Sequence, residues 1–159
     1  MKANKSTMTL ALLLAVAAAG CVGRVRQPEV RLAGVSVGGF GLRGATLLAE
    51  LDIINPNDFD IETDSIAYEM EASEPGSSAT FTRVTQATYT QRIKVDDNGH
   101  SKVEIPIEFN YTGLSGALRG IMDKGTFNYR VRGNVYVREP LKRTIPFSKS
   151  GNMSLAGAR

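Results

Sequence analysis

The chain has 159 residues, 19 Lys and Arg against 16 Asp and Glu, and a single cysteine, Cys21. One cysteine excludes an internal disulfide framework, so the stability of such a domain must come from a hydrophobic core. Setting aside Lys2 and Lys5 of the N-terminal segment leaves 17 basic against 16 acidic side chains, a balance that does not call for a nucleic-acid partner.

Lys2 and Lys5 head an apolar run from Met8 to Ala19 that is broken only by Thr9, and Ala18, Ala19 and Gly20 lead into Cys21. A charged start, an apolar middle and a small-residue exit are the layout of a secretory signal peptide. The run is shorter than the about 20 apolar residues a membrane-spanning helix needs. Its tail resembles a bacterial lipobox, although Ala18 stands where leucine is usual. The bland alternative is an ordinary A-x-A cleavage site with Cys21 left as a spare thiol. The lipobox resemblance implies cleavage between Gly20 and Cys21, acylation of Cys21, and attachment to a membrane through that lipid. Val22, in place of an aspartate, points to the outer membrane facing the periplasm. The expected organisation is a signal peptide over 1–20, a lipidated cysteine and short tether over 21–28, and one domain over 29–157.

From Pro28 onward the dominant period is two. Val30 and Leu32 alternate with Glu29 and Arg31. Leu47, Ala49, Leu51 and Ile53 alternate with Leu48, Glu50, Asp52 and Ile54. The same alternation recurs around Ile66, Tyr68 and Met70, and around Val103, Ile105, Ile107 and Phe109. It returns around Phe127, Tyr129, Val131, Val135 and Val137, while Tyr89, Ile93 and Val95 share one further face. Successive strand residues point to opposite faces, so each segment offers one apolar face to a core. Several such strands with turns between them read as an antiparallel sandwich or barrel.

The punctuation agrees. Pro75-Gly76-Ser77-Ser78 separates two strands, and Asp97-Asn98-Gly99 reads as a hairpin turn, because Asn and Gly tolerate positive φ. Pro106 has no amide hydrogen, which places its strand at an edge or a bulge. Leu114, Ala117, Leu118 and Ile121 fall at helical spacing between Thr112 and Gly125, predicting a short helix over about 113–123. Asn55-Pro56-Asn57 reads as a sharp turn. Asn55 is extended before proline, Pro56 is fixed in φ, and Asn57 is able to enter the left-handed region.

The stretch Leu51-Asp52-Ile53-Ile54-Asn55-Pro56-Asn57-Asp58-Phe59-Asp60-Ile61 resembles the type-2 late-embryogenesis-abundant family, also called the WHy (water stress and hypersensitive response) domain. Strands like Ile66 to Met70 and Val103 to Ile107 follow in the family's order. A Gly-Leu helix like Gly113 to Met122, a strand like Phe127 to Gly133, and a late Ile145-Pro146-Phe147 complete it. The resemblance spans about 28–155. It implies an all-β fold with one short helix, an antiparallel seven-stranded, fibronectin-III/immunoglobulin-like sandwich. It also implies a role in tolerating desiccation, salt or cold by protecting proteins or membranes.

Catalytic signals are weak. Gly39-Phe40-Gly41-Leu42-Arg43-Gly44 satisfies G-x-G-x-x-G, but a dinucleotide site needs a helix to follow, and a glycine-rich turn between strands explains it better. His100 is the only histidine and lies beside a turn. Ser101 or Ser78 with Asp96 can be written into a triad, yet nothing supplies the nucleophile turn or the oxyanion donors. Asp58/Asp60 and Asp96/Asp97 fall short of an oxygen cage for calcium. No catalytic, cofactor or metal residue is assigned. Arg130, Arg132 and Arg138 share a strand face and are candidates for contact with an anionic surface, against the ordinary reading of a charged solvent face.

The reading is a non-enzymatic, membrane-anchored protein that protects envelope proteins or lipids in water stress. The alternative is an envelope module binding a hydrophobic ligand or lipid, with Leu48, Ile54 and Tyr136 as an outward apolar patch. The partners are a membrane, through Cys21, and envelope clients, with no nucleic acid.

Overall fold

A computed structural model describes residues 25–75, 80–111, 125–138 and 140–154. The period-two segments become strands: β1 (Glu29–Phe40), β2 (Gly44–Ile54), β3 (Ile61–Ser73), β4 (Thr82–Tyr89), β5 (Lys94–Val95), β6 (His100–Asn110), β7 (Thr126–Val137) and β8 (Arg143–Ser154). They form two sheets, β1-β2-β6 and β4-β3-β7-β8, with β5 pairing the start of β3. Every pairing is antiparallel.

The core lies between the sheets. Leu47, Leu51 and Ile53 of β2 meet Ile66 and Met70 of β3 and Phe127 and Val131 of β7, all essentially without solvent exposure. Each fully buried aliphatic or aromatic side chain of this kind contributes roughly 1.5–3 kcal/mol. Tyr68 reaches across from β3 and donates its hydroxyl to the Pro106 carbonyl of β6 at 3.0 Å, joining the two sheets by a polar contact. At Gly133 of β7 a Cβ would lie 2.2 Å from the Ala67 carbonyl oxygen and 2.6 Å from the Phe147 ring, so the close approach of β3, β7 and β8 depends on glycine there.

The described residues form eight strands rather than seven. The segment read as one strand through Tyr89 and Val95 is two pieces. β4 ends at Tyr89, and the chain regains a sheet only at β5. Between them the Ile93 carbonyl accepts the Thr63 amide at 2.9 Å, and the Thr63 hydroxyl accepts the Ile93 amide at 3.1 Å. β4 carries little alternation because it is an edge strand with most side chains exposed or half-buried.

The expectation for Pro106 holds, since β6 pairs only with β2 and is an edge. Asp97-Asn98-Gly99 does turn the chain, with Asn98 at φ 48° and the Gly99 amide on the Asp96 carbonyl at 3.1 Å. It does not close a hairpin, because β5 pairs with β3 and β6 with β2. The turn carries the chain from one sheet to the other. Gly41 to Gly44 form the tip between β1 and β2, closed by the Gly41 amide on the Gly44 carbonyl, and a strand rather than a helix follows. That geometry removes the dinucleotide reading of the glycine motif. The helix expected over 113–123 and the signal-peptide and lipobox segment lie outside the described residues.

Candidate functional site

Asn55, Pro56 and Asn57 sit where β2 leaves one sheet and the chain crosses to β3 in the other. Both asparagines are buried, at 1% and 4% exposure, on a loop where polar side chains ordinarily face water. Burial of an amide costs free energy unless its donors and acceptors are met, and here they are. Asn55 Nδ2 donates to the carbonyls of Phe59 at 2.7 Å and Asp96 at 3.1 Å. Its Oδ1 accepts from the Asn57 amide at 3.2 Å and from Asn57 Nδ2 at 3.0 Å. Asn57 then grips Arg26 from both sides. Its Oδ1 accepts the Arg26 amide at 2.7 Å, and its Nδ2 donates to the Arg26 carbonyl at 2.9 Å. Main-chain bonds close the cluster, from the Asn55 amide to the Gly99 carbonyl and from the Asn98 amide to the Asn57 carbonyl, both 2.8 Å.

The two side chains therefore join three stretches of chain: the N-terminal segment at Arg26, the crossing itself, and the β5–β6 turn. Asn57 does not take the left-handed conformation expected of it; the positive-φ non-glycine residues among those described are Asn98 and Lys142. Asn57 is held instead by its grip on Arg26. The cluster has no nucleophile or base, and every polar atom in it serves the fold.

The second feature is the outer face of β4-β3-β7-β8. Arg130 and Arg132 lie there as expected, but each meets a carboxylate from β3. Arg132 lies 3.1 Å from Glu71 and 3.4 Å from Glu69, Arg130 lies 3.5 Å from Glu71, and Arg83 of β4 lies 2.6 Å from Glu69. The Arg130 guanidinium also stacks 3.9 Å over the Phe81 ring. Arg138, just past β7, has Glu62 and Asp64 at 3.9 and 4.0 Å. Sequence reasoning saw the arginines and missed Glu69 and Glu71. The signal was present in the alternation of β3, which sets Glu69 and Glu71 opposite its buried face, but the pairing needs the β3–β7 register. The hydrogen bond from Arg83 holds the Glu69 carboxyl below the usual carboxylate range, aided by the nearby charges of Arg83 and Arg132 and opposed by desolvation.

At the turn pole Lys94 bridges Asp60 at 2.7 Å and Asp96 at 3.0 Å, so two of the four acidic residues weighed as calcium ligands already hold a cation of the chain's own. Among the described residues, no group of three or more His, Cys, Asp or Glu is placed to hold a metal. His100 is exposed and its Nδ1 pairs with Asp52 Oδ1 at 3.1 Å, while the Ser101 hydroxyl donates to the Lys94 carbonyl at 2.9 Å, so neither takes the partner a triad requires. Leu48 and Ile54 lie on the outer face of β2, and Tyr136 on the outer face of β7 in the other sheet, so they do not form one patch.

These features define a two-sheet β-sandwich knitted together by a buried asparagine cluster. The profile of the late embryogenesis abundant protein family (LEA_2) matches residues 50–151, a span that holds Asn55, Asn57, the β5–β6 turn and the charged face, and the chain belongs to that family. No curated protein sequence matches it. Among solved structures, the fold is similar to that of an Arabidopsis thaliana protein, with TM-score 0.66 and 16% identity, covering 86% of this chain and 87% of that one. It is also similar to the solution structure of a candidate late embryogenesis abundant protein, with TM-score 0.62 and 21% identity, covering 95% and 86%. A crystal structure of a protein from Archaeoglobus fulgidus follows, with TM-score 0.56 and 13% identity, covering 79% and 94%.

Asn55→Ala orphans buried carbonyls and removes the acceptor for Asn57, and should lower stability by about 3 kcal/mol. Asn57→Ala should cost about 2 kcal/mol, and Asn152→Ala on the exposed face under about 0.5 kcal/mol. Urea denaturation at constant m-value reads all three. A separate expectation concerns acid. Because the folded carboxyl of Glu69 titrates below its ordinary 4.5, the unfolded chain takes up that proton first as pH falls. The stability Glu69 contributes is present above about pH 4.5 and is lost as pH drops through the lowered folded value. Glu69→Gln should flatten the acid limb of a stability–pH curve; a variant curve parallel to wild type contradicts the assignment.

Proposed function

We propose that this chain is a non-enzymatic stress-protection protein, anchored to a membrane through a lipid on Cys21 and acting on envelope proteins or lipids during water loss. The family match over 50–151 carries the reading. It draws support from the chemistry of the buried polar residues, which are spent on the fold rather than on a reaction. The stress role and the outer-membrane, periplasm-facing location are those that the resemblances of the sequence imply. The alternative, a hydrophobic ligand held between the sheets, gains nothing from the packing, because Phe127, Leu47, Leu51 and Met70 fill that space.

On this reading the Arg26 grip shortens the tether. Four residues separate Cys21 from Arg26. Five peptide steps extend to roughly 17 Å. The pole holding Asn57 and the β5–β6 turn would then face the bilayer. The tip between β1 and β2, which exposes Phe40 and Leu42, would point away from it at the far end of a strand of 12 residues, roughly 40 Å long.

The test is to dry or freeze a labile enzyme with and without the domain from Val22 to Arg159, using equal masses of lysozyme and albumin as controls. Recovered activity clearly above both controls is expected; recovery no better than theirs overturns client protection. In cells, Cys21→Ala should abolish incorporation of labelled fatty acid and move the protein from the membrane to the soluble fraction.

A further inference from the structure

The outer face of β4-β3-β7-β8 is uneven. Cross-strand register puts Gln86, Glu69, Arg132 and Ser148 in one row, and Thr88, Ala67, Asn134 and Pro146 in the next. Ala67 and Pro146 are short where the row beside them is long, and a hollow of about 340 Å³ opens over Ala67. A second hollow of about 450 Å³ adjoins it around Tyr136, two residues further along β7 from Asn134, and is rimmed by Asp64, Arg138, Lys142 and Arg143. The two follow one another along β7 from Arg132 to Arg138, a trough-like stretch of roughly 20 Å at strand rise.

Three observations bear on what it would hold. First, the amides of Gln86 and Asn134 are unused. Elsewhere on this face the Asn128 amide donates to the Glu74 carbonyl at 2.9 Å and the Asn152 amide to Asn128 Oδ1 at 3.2 Å, but the side chains of Gln86 and Asn134 make no hydrogen bond among the described residues. Each offers donors and an acceptor to a ligand. Second, charge divides along the trough. In the first hollow Arg132 is opposed by Glu69, which suits a neutral group whose hydroxyls donate to the carboxylate and accept from the guanidinium. In the second hollow Arg138 already faces Glu62 and Asp64, while Arg143 makes no ion pair among the described residues and suits a carboxylate. Third, Tyr136 is 38% exposed and presents an apolar ring with a polar tip in the second hollow.

We propose that this trough binds a glycan chain in which neutral, amide- or hydroxyl-rich sugars alternate with carboxylate-bearing ones. A neutral ring sits over Ala67 between Gln86 and Asn134, a C–H face lies on Tyr136, and the acidic sugar meets Arg143. A bilayer is a poorer fit. The first hollow is on the side of the sheet, three to five residues up β7 from its end at Val137, where a flat surface meeting the pole would not reach. The inference stands independently of the stress-protection reading; only the exclusion of a bilayer depends on the orientation set by the lipid on Cys21.

The test titrates the full chain, 15N-labelled and held in a sugar-free detergent, with a hexasaccharide alternating N-acetylglucosamine and glucuronic acid. Chitohexaose, trehalose and anionic phospholipid vesicles form the other arms. Expected are saturable shifts at Ala67, Arg132, Asn134 and Tyr136, several-fold tighter for the alternating hexasaccharide than for chitohexaose, with the advantage lost at high salt. Tyr136→Ala and Asn134→Ala should each weaken binding about tenfold at unchanged thermal midpoint, since neither side chain is part of the core. The proposal is overturned if no oligosaccharide gives saturable shifts, or if trehalose matches the hexasaccharide. It is equally overturned if only the vesicles bind, or if Tyr136→Ala binds as wild type does.

Discussion

Two buried side-chain amides carry the crossing between the sheets. β2 ends and β3 begins in different sheets, and the β5–β6 turn makes the same crossing in the opposite direction. Nothing in a sandwich core fixes how two such crossings sit against each other, because apolar packing is not directional. Hydrogen bonds are, and Asn55 supplies them by donating to Phe59 and Asp96 while its oxygen receives Asn57. Asn57 extends the lock to Arg26. A proline between them fixes one φ and demands no partner for an amide it lacks. The triplet works as a unit: one residue to hold the turn, one to set the bend, one to hold the incoming chain.

That lock accounts for a polar cluster in an otherwise apolar interior. Of the residues described as buried, the polar ones are Asn55, Asn57, Thr63 and Ser73, and Thr63 performs a similar task where the chain runs from β4 to β5. No buried side-chain nitrogen or oxygen among the described residues lacks a partner. Polar burial in this protein is therefore structural. Chemistry directed outward is left to the exposed surfaces, above all the outer face of the β3–β7 sheet. There the arginines and glutamates of neighbouring strands balance one another, so the face offers ordered donors and acceptors more than a net charge.

Most of the fold is legible in the sequence because β2, β3, β6 and β7 each have one face in the core, and the alternation of Leu47, Ala49, Leu51 and Ile53 survives intact. β4 is not legible. An edge strand of Thr, Gln and Ala has no buried face to impose a period, and β5 is two residues long. The Asp97-Asn98-Gly99 turn is legible as a turn but not as a crossing, since turn residues report local dihedrals and not which strands pair. The same limit explains the sites. Asn55-Pro56-Asn57 announces a bend, yet its partners at Arg26 and Asp96 lie 31 and 41 residues away. The arginine face is visible in β7, while Glu69 lies 63 residues from Arg132 and is paired with it only by register.

The most direct measurement of the lock is amide hydrogen exchange at Arg26, read residue by residue in the native protein. Arg26 precedes the first strand, and among the described residues Asn57 alone ties its amide down. The account predicts exchange slowed by orders of magnitude relative to an unstructured peptide, close to that of the neighbouring ends of β1 and β2. Exchange of Arg26 at the unstructured rate, with the strands still protected, would contradict it.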